Sequence, residues 1–288
     1  MTPPGNPVHG SRLTFGRTVR ELRAARGLTV RTLAELLQVS PATVSAIENG
    51  RTGVSATRTA LLAEVLEVPV QRIFGLTAIA ERNWRSFPPL DLDLALNGAL
   101  SSFLEFGYHG ATMRTIAKRA SLSVAGLYHY YPSKQDMLIA LLDLTMTDLR
   151  TRSVAARAEG RDPVERFAFL VECLALVHTH RRALGFVGAS EMRSLAPDER
   201  RRVAGLRREQ QQLVDHEVEQ AVSSGAFRTT RPREASRAVV TMCAALPQWF
   251  HDTGPATAEQ VAAQYVEFAL DLVQYVDLPA RRAAQPAH

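Results

Sequence analysis

The stretch "TMRTIAKRASLSVAGLYHYYPSK", residues 112–134, decides the architecture of this chain. Its first part places three apolar side chains on one face and three basic ones on the other, namely Ile116, Ala117 and Ala120 against Arg114, Lys118 and Arg119. That spacing predicts an amphipathic helix over 112–119. The turn "SLS" follows, with Leu122 anchored in the core, and a second helix is predicted over 123–130.

The second helix concentrates aromatic groups that can form hydrogen bonds. Three residues spaced three and four apart share one face of this helix, which is predicted to be buried: Val124, Leu127 and Tyr131. The opposite face has small residues that allow close approach, and Tyr128, His129 and Tyr130 can donate to phosphate oxygens. Lys134 begins the next helix, where backbone N–H groups already favour an anion. The pattern predicts a helix-turn-helix whose second helix enters a DNA major groove, with an aromatic helix–helix contact as the alternative.

These residues belong to a longer stretch, "ALSSFLEFGYHGATMRTIAKRASLSVAGLYHYYPSKQDMLIAL" at 99–141, which strongly resembles the N-terminal DNA-binding domain of TetR-family transcription regulators. The likeness lies in the aromatic–Gly–Tyr turn at 106–108, Thr112, "IA" at 116–117 and "LYHYYPSK" at 127–134. The family usually has Phe at the position of Tyr131, so this hydroxyl needs a partner.

The resemblance implies specific contacts with DNA. Thr112, Tyr128, Tyr130 and Lys134 would contact phosphates. The residues implied to lie nearest the bases are Ser123, Val124, Ala125, Gly126 and His129. The outward Arg114 completes the predicted DNA-binding set.

A second predicted helix-turn-helix module precedes the TetR-like stretch. "LTFGRTVRELRAARGLTVRTLAELLQVSPATVSAIENGRTGVS", residues 13–55, resembles the lambda-repressor/Cro-like (Xre-type) helix-turn-helix, and the likeness continues through "VLEVPVQRIF" at 65–74. It implies five short helices, the second from Thr29 to Leu37 and the third from the N-cap Ser40 to Asn49. The candidate DNA contacts are Arg31, Ser40, Pro41, Ala42, Thr43, Ser45, Ala46, Asn49 and Arg51, the last aimed at a backbone phosphate.

This module departs from its family where bases are usually contacted. Gln38 stands where a turn glycine is common, and Val30 where a glutamine is usual. Pro41, Ala42 and Ala46 cannot form the bidentate bonds that are worth about 1–3 kcal/mol of discrimination. The sequence predicts backbone binding with modest direct readout; the alternative is an eroded domain that contacts protein.

The whole chain is predicted to be all-α. The expected parts are a disordered arm (1–11), the Xre-type domain (12–76), a linker (77–90) that Trp84 and Phe87 dock on a neighbour, the TetR-type DNA-binding domain (91–137), a long-helix ligand-binding and dimerisation domain (138–278) and a disordered tail (279–288). Long helices are expected at 134–158, 163–181, 184–195, 197–224, 232–252 and 257–277.

The last two long helices are apolar on more than one stripe, so each needs cover on two sides. A second copy of the chain is the natural cover, which predicts a twofold homodimer on a palindromic operator. The central helices 163–224 form either a plain core or a lined cavity, the second favoured by the family likeness.

The C-terminal half also resembles a subgroup that controls lipid or sterol catabolism and responds to acyl-CoA thioesters. The shared features are "E-x-R-x-L" at 191–195, "GAF" at 225–227 and "QWFHDTGP" at 248–255. A CoA thioester needs an apolar tunnel and arginines for its phosphates. The candidate effector residues are Arg181, Arg182, Phe186, Arg193, Arg207, Trp249 and Phe250, although a solvated surface is the alternative for each arginine.

Charge and composition point the same way. Residues 12–76 carry nine Arg against five acids, and residues 106–135 carry four basic residues and no acid, which favours phosphate partners. Cys173 and Cys243 are expected to be buried free thiols in a reducing cytoplasm. No motif predicts a metal, a cofactor, catalysis or a membrane span. The alternatives to a ligand-released repressor are a DNA-organising protein that senses nothing, an activator or, remotely, a helical enzyme.

Overall fold

The computed structural model describes residues 7–52, 54, 56–68, 73, 83–90 and 92–277. These ranges are helical, with one isolated antiparallel bridge between Phe227 and Tyr275 and no β-strand, so the all-α prediction is confirmed. The helices are α1 Pro7–Ala25, α2 Val30–Leu36, α3 Pro41–Glu48, α4 Ala56–Val65, α5 Leu94–Gly110, α6 Met113–Arg119, α7 Val124–Tyr130, α8 Lys134–Glu159, α9 Pro163–His180, α10 Arg182–Ser190, α11 Pro197–Ser223, α12 Pro232–Ala244, α13 Leu246–Trp249 and α14 Ala258–Leu272, with a 3₁₀ turn at Met192–Ser194. Among the described residues, no helix is both long and apolar enough to cross a membrane.

The chain divides into two compact units. The first contains the residues up to 82, 86–148 and 190–200; the second contains 83–85, 149–189 and 201 onward. The predicted tail 279–288, the linker residues 77–82 and most of the fifth Xre-type helix lie outside the described residues.

The N-terminal module in the first unit is built around one apolar core. α1 and α2 both pack on α3. The core side chains come from every described helix and from beyond α4: Val19, Leu33, Val44, Ile47, Leu62, Leu66 and Ile73. Thr29 and Ser40 cap α2 and α3 by accepting hydrogen bonds from Thr32 N and Thr43 N. Helix α1 begins at Pro7, so it extends into the predicted arm 1–11.

The second head in this unit consists of α5, α6 and α7. α5 packs on α6, and α6 on α7. Gly98 allows the closest approach, because a Cβ there would lie 2.8 Å from Ile116 O. The predicted turn at 106–108 is present as a break inside α5, where Gly107 adopts φ +66°. A residue with a Cβ is strained in that left-handed region.

The second unit is organised around α9, which packs on α12, α13 and α14. α9 has buried residues along its whole length, and every residue from Cys173 to Val177 is buried. A buried carboxylate lies inside the unit: Glu217 of α11 is fully buried, and its two oxygens accept hydrogen bonds from Arg157 Nε at 2.6 Å and Arg166 Nε at 2.8 Å.

Three predicted long helices differ from the structure. The helix expected over 232–252 breaks at Ala245, because Pro247 has no N–H to donate and fits only the first turn of a new helix. The helix expected over 184–195 starts at Arg182, ends at Ser190 and is followed by the 3₁₀ turn. The one expected over 257–277 ends at Leu272, after which Gln274 adopts φ +56°.

Candidate nucleic-acid interface and effector domain

The TetR-type head exposes most of the residues predicted to contact DNA. Thr112, Arg114, Ser123, Ala125 and Tyr128 are exposed, while Gly126, Tyr130 and Lys134 are half-buried. The side chain of His129 lies outside the described part of the structure. The three inward residues of α6 are buried and its three basic residues are exposed, as the amphipathic pattern predicts.

The start of the recognition helix α7 differs from the sequence prediction. Leu127 and Tyr131 are buried, but Val124 is 38% exposed, so its predicted burial is wrong. The reason is position: Val124 is the first residue of α7, directly after the capping Ser123. Its exposure places an apolar side chain where a thymine methyl can be contacted.

Side-chain caps fix the N-terminal ends of α6 and α7. Thr112 Oγ1 accepts from Thr115 N at 3.1 Å, and Thr115 Oγ1 accepts from Thr112 N at 2.9 Å, which completes a capping box on α6. Ser123 Oγ accepts from Gly126 N at 2.9 Å and starts α7. Capping of this kind is worth about 1 kcal/mol and holds the helix starts in one orientation.

Lys134 has a structural role within the head. Its Nζ donates to Tyr108 O at 2.5 Å and Ala111 O at 2.7 Å, and it lies 4.2 Å from the centre of the Tyr108 ring. These carbonyls lie at the C-terminal end of α5. Lys134 is the first residue of α8, so its hydrogen bonds connect the start of α8 to the end of α5. Burial lowers the pKa of Lys134 below its ordinary value. Its predicted phosphate contact would therefore be made by an ammonium group that already bridges two elements.

The extra hydroxyl of Tyr131 has a partner. Its Oη donates to Asp93 Oδ2 at 2.9 Å, and Asp93 Oδ1 accepts from Leu96 N at 2.8 Å to cap α5. The departure from the usual Phe is thus used to connect the buried end of α7 to the start of α5.

The Xre-type module exposes part of its predicted set. Arg31, Ser40, Pro41, Ala42, Ser45 and Arg51 are exposed; Thr43, Ala46 and Asn49 are half-buried. Asn49 is engaged inside the module, because its Oδ1 accepts from Arg20 Nη2 at 2.6 Å and its Nδ2 donates to Ser45 O at 2.7 Å. Asn49 could contact a base only if these hydrogen bonds broke. This agrees with the prediction that the module makes modest direct readout of the DNA sequence.

A charge cluster beneath Asn49 was missed by sequence reasoning. Glu48 is buried and pairs with Arg23 Nε at 2.5 Å and Arg20 Nε at 3.3 Å. The arginines lie on α1 and the carboxylate on α3, so the only sequence signal was an acid at an inward position of α3. The pairs hold the recognition helix of this module against α1.

The two helix-turn-helix turns have the same geometry. Gln38 and Ser121 are in the left-handed region, at φ +53° and +54°. In each turn the following apolar residue donates its N–H back into the preceding helix, Val39 to Ala34 O and Leu122 to Ala117 O, both at 2.9 Å. This is the Schellman ending that usually has glycine.

The predicted effector residues differ in burial and in the unit to which they belong. Arg181 and Phe250 are buried, Arg182 and Phe186 are half-buried, and Arg207 Nη2 donates to Gly188 O at 2.6 Å. Arg193 is exposed and belongs to the first unit, whereas the others belong to the second. Two open surface hollows of the described residues, of about 440 and 390 Å³, are lined by none of the seven.

One buried amide in the second unit was not predicted. Gln210 of α11 is 4% exposed, and its Nε2 donates to Ser153 Oγ at 2.8 Å. Its Oε1 is buried and has no hydrogen-bond partner among the described residues. Ser153 also lies 3.8 Å from Cys173 Sγ. An unsatisfied buried acceptor costs about 1–3 kcal/mol, so this position is suited to a ligand that donates to it.

Large apolar side chains are exposed on α13 and α14. Trp249 is 51% exposed, Phe268 55% and Leu272 39%. The half-buried Tyr265 lies between the first two, with ring centres 6.4 Å from Trp249 and 6.1 Å from Phe268. We call these four residues the aromatic face. The same helices also carry buried apolar residues, so an exposed and a buried apolar stripe both exist, as the sequence predicts: Leu246, Pro247, Ala258, Val261, Ala262 and Ala269.

Comparison with known proteins identifies each part. The family model described as "Bacterial regulatory proteins, tetR family" matches residues 95–141, and "Tetracyclin repressor-like, C-terminal domain" matches 160–273. A model described as "Helix-turn-helix domain" matches 14–73.

Individual relatives agree with these matches. The HTH-type transcriptional repressor KstR2 of Mycobacterium tuberculosis is 28% identical over 176 residues, which cover 60% of this chain and 87% of KstR2. A tetR-family regulatory protein from Rhodococcus RHA1 has a TM-score of 0.60 at 26% identity and covers 64% of this chain and 97% of its own. AibR, solved with isovaleryl coenzyme A and operator DNA, shares the fold, with a TM-score of 0.57 at 22% identity over 63% of this chain and 97% of its own. The chain therefore belongs to the TetR family of bacterial regulatory proteins and carries an additional helix-turn-helix domain in front of the TetR-type head.

Proposed function

We propose that this protein is a homodimeric transcriptional repressor that binds a palindromic operator through the TetR-type head and is released by a small amphipathic effector. The observation that carries the proposal is the head itself. Its capped helices α6 and α7 expose Arg114, Ala125 and Tyr128, and the TetR-type sensor domain follows on the same chain. Phosphate contacts would position the head, and the start of α7 would contact bases.

The N-terminal domain adds affinity in this proposal. It exposes Arg31 and Arg51 for phosphates, while its third helix offers Pro41 and Ala42, which have no side-chain hydrogen-bonding group. It would therefore hold DNA with little discrimination between sequences.

The effector is proposed to be an acyl-CoA thioester that acts on the second unit. Two features support a sensor there: the unpartnered Gln210 Oε1 in the interior and the subgroup motifs at 191–195 and 248–255. AibR, which shares the fold, was solved with an acyl-CoA. A buried acceptor without a donor is a natural attachment point for a ligand N–H or O–H group.

The DNA part is tested with genomic fragments that copurify with the protein. Affinity for the recovered fragment should fall steeply with salt, and Arg114→Ala should weaken binding and reduce the log–log salt slope by about one. Arg161→Ala removes an arginine from the second unit instead and serves as the control. Enrichment of no fragment, or a slope that Arg114→Ala leaves unchanged, would contradict DNA binding by this face.

The effector part is tested on the same fragment. An acyl-CoA should release the DNA, whereas free CoA and the free fatty acid should not. Gln210→Leu should keep the DNA affinity and raise the acyl-CoA concentration needed for release. If no acyl-CoA releases DNA, the effector class is wrong, and the DNA-binding result stands by itself.

A further inference from the structure

The end of the predicted linker is anchored on the second unit. Trp84 is 3% exposed, and its Nε1 donates to Glu159 Oε2 at 2.6 Å. Its ring lies 6.1 Å from that of Phe169, and its carbonyl accepts from the buried Arg152 at 2.8 Å. The predicted docking of Trp84 is thus found, on α8 and α9.

Arg85 adds hydrogen bonds to the same two helices, α8 and α9. Its Nε and Nη2 donate to the two oxygens of Glu172 at 2.6 and 2.9 Å, and its Nη1 donates to Glu159 Oε1 at 2.8 Å. The guanidinium carbon lies 3.7 Å from the centre of the Trp84 ring. The hydrogen bond from Arg85 holds the pKa of Glu159 below its ordinary value. We call Trp84 and Arg85, with these partners, the clasp.

The clasp is stronger than an exposed ion pair. A fork-to-fork arginine–carboxylate pair fixes direction as well as distance, and the guanidinium also stacks on the indole. The buried Trp84 side chain adds apolar transfer free energy to these contacts. Together they offset the backbone entropy that is lost when two residues are ordered.

The clasp shortens the tether of the N-terminal domain. Ile73 is fully buried in the core of that domain, and Asn83 directly precedes the clasp. Only residues 74–82 join the two points, and a chain of that length spans at most about 35 Å. Without the clasp the tether would extend from residue 74 to at least residue 85. Its maximum span would then rise to about 45 Å.

We propose that Trp84 and Arg85 are positioning residues that set the spacing at which the N-terminal domain and the TetR-type head engage one DNA molecule. This inference rests on the proposed DNA-binding function. A short tether raises the effective concentration of the second module only at spacings that it can span. The anchored chain is therefore expected to select pairs of sites with a narrow spacing, and a released chain to accept many spacings.

The test is selection of binding sequences from a random DNA library by the full chain and by Trp84→Ala/Arg85→Ala. Wild type should enrich an inverted repeat with a flanking second element at a narrow spacing. The double variant should enrich the same elements with a broader spacing distribution. Small-angle scattering should show a larger maximum dimension for the variant. Arg161→Ala, whose arginine pairs with Glu165 four residues further on, is the matched control.

A second variant protects the test against misfolding. Glu159→Gln/Glu172→Gln keeps Trp84 and removes the charged partners of Arg85, and the tryptophan emission should shift to longer wavelength. An unchanged spacing in both variants, despite an increased maximum dimension, would overturn the inference. So would an unchanged maximum dimension, or a wild-type selection in which no second element appears. Enrichment of no sequence at all would instead contradict the proposed DNA-binding function.

Discussion

Two tyrosines near the end of the recognition helix have opposite environments. Tyr128 is half exposed, and its hydroxyl bonds no described residue, whereas Tyr131 is buried and donates to Asp93. Because Tyr→Phe can be made at either position, the two substitutions distinguish an effect on stability from an effect on DNA binding.

Tyr131→Phe should lower the free energy of unfolding of the head by about 1 kcal/mol, because Asp93 loses a donor. Tyr128→Phe should leave stability within about 0.5 kcal/mol and weaken DNA binding at all sequences, because a phosphate loses a donor. Urea unfolding and fluorescence anisotropy on the recovered fragment measure the two effects. Equal effects of both substitutions on DNA affinity would contradict these assignments.

His178 in the second unit should make stability depend on pH. Its Nδ1 lies 2.7 Å from Leu174 O, and burial, with the nearby Arg207, lowers its pKa. Since the unfolded chain binds the proton more readily, stability should fall as pH drops through about 6.5, the unfolded value, toward the lower folded value.

Thermal melts between pH 8 and pH 5 test this. The difference in melting temperature between wild type and His178→Gln should be constant above pH 7.5. Below pH 6.5, wild type should lose stability relative to the variant. His216→Gln, at an exposed position on α11, is the control. A constant difference over the whole range would show that His178 does not carry the effect.

At the scale of elements, both helix-turn-helix turns place a residue with a Cβ in the left-handed region, at Gln38 and Ser121. That conformation costs roughly 1 kcal/mol for a residue other than glycine. Gln38→Gly should therefore stabilise α2 and α3 by about 0.5–1 kcal/mol, and Gln38→Val should destabilise them by more.

Hydrogen exchange of amides in α2 and α3 measures the change in the full chain. Ser121→Gly provides the matched case, with protection rising in α6 and α7 instead. If Gln38→Gly lowers protection, the glutamine side chain stabilises the turn by a contact that outweighs the backbone strain.

How far the sequence predicted each element depends on the range of the interaction that forms it. Local signals were sufficient for the cap Ser40 and for the start of α9 at residue 163, because a cap and its partner lie within three residues. The break at Ala245 was predictable in the same way from Pro247, and was missed because apolar periodicity continues across it. The partners of Trp84 and Glu48 lie far along the chain, so only the folded structure brings them together.

For the whole molecule, the aromatic face is the surface where the proposed homodimer would form. Residues that are apolar, large and exposed on two adjacent helices are unusual on an isolated subunit, and a second copy would bury them around a twofold axis. Because two heads are needed to span a palindrome, loss of this contact should appear in DNA binding as well as in molecular mass.

Phe268→Asp should convert the dimer into a monomer, because it places a charge at the centre of the aromatic face without disturbing the buried stripe of α14. Light scattering after gel filtration should show half the mass, and affinity for the recovered fragment should fall at least a hundredfold. Val154→Asp, a substitution of an equally exposed apolar residue on α8, should leave both unchanged. A Phe268→Asp variant that keeps its dimeric mass would move the interface elsewhere, and a monomer with full affinity would mean that one subunit alone suffices for the operator.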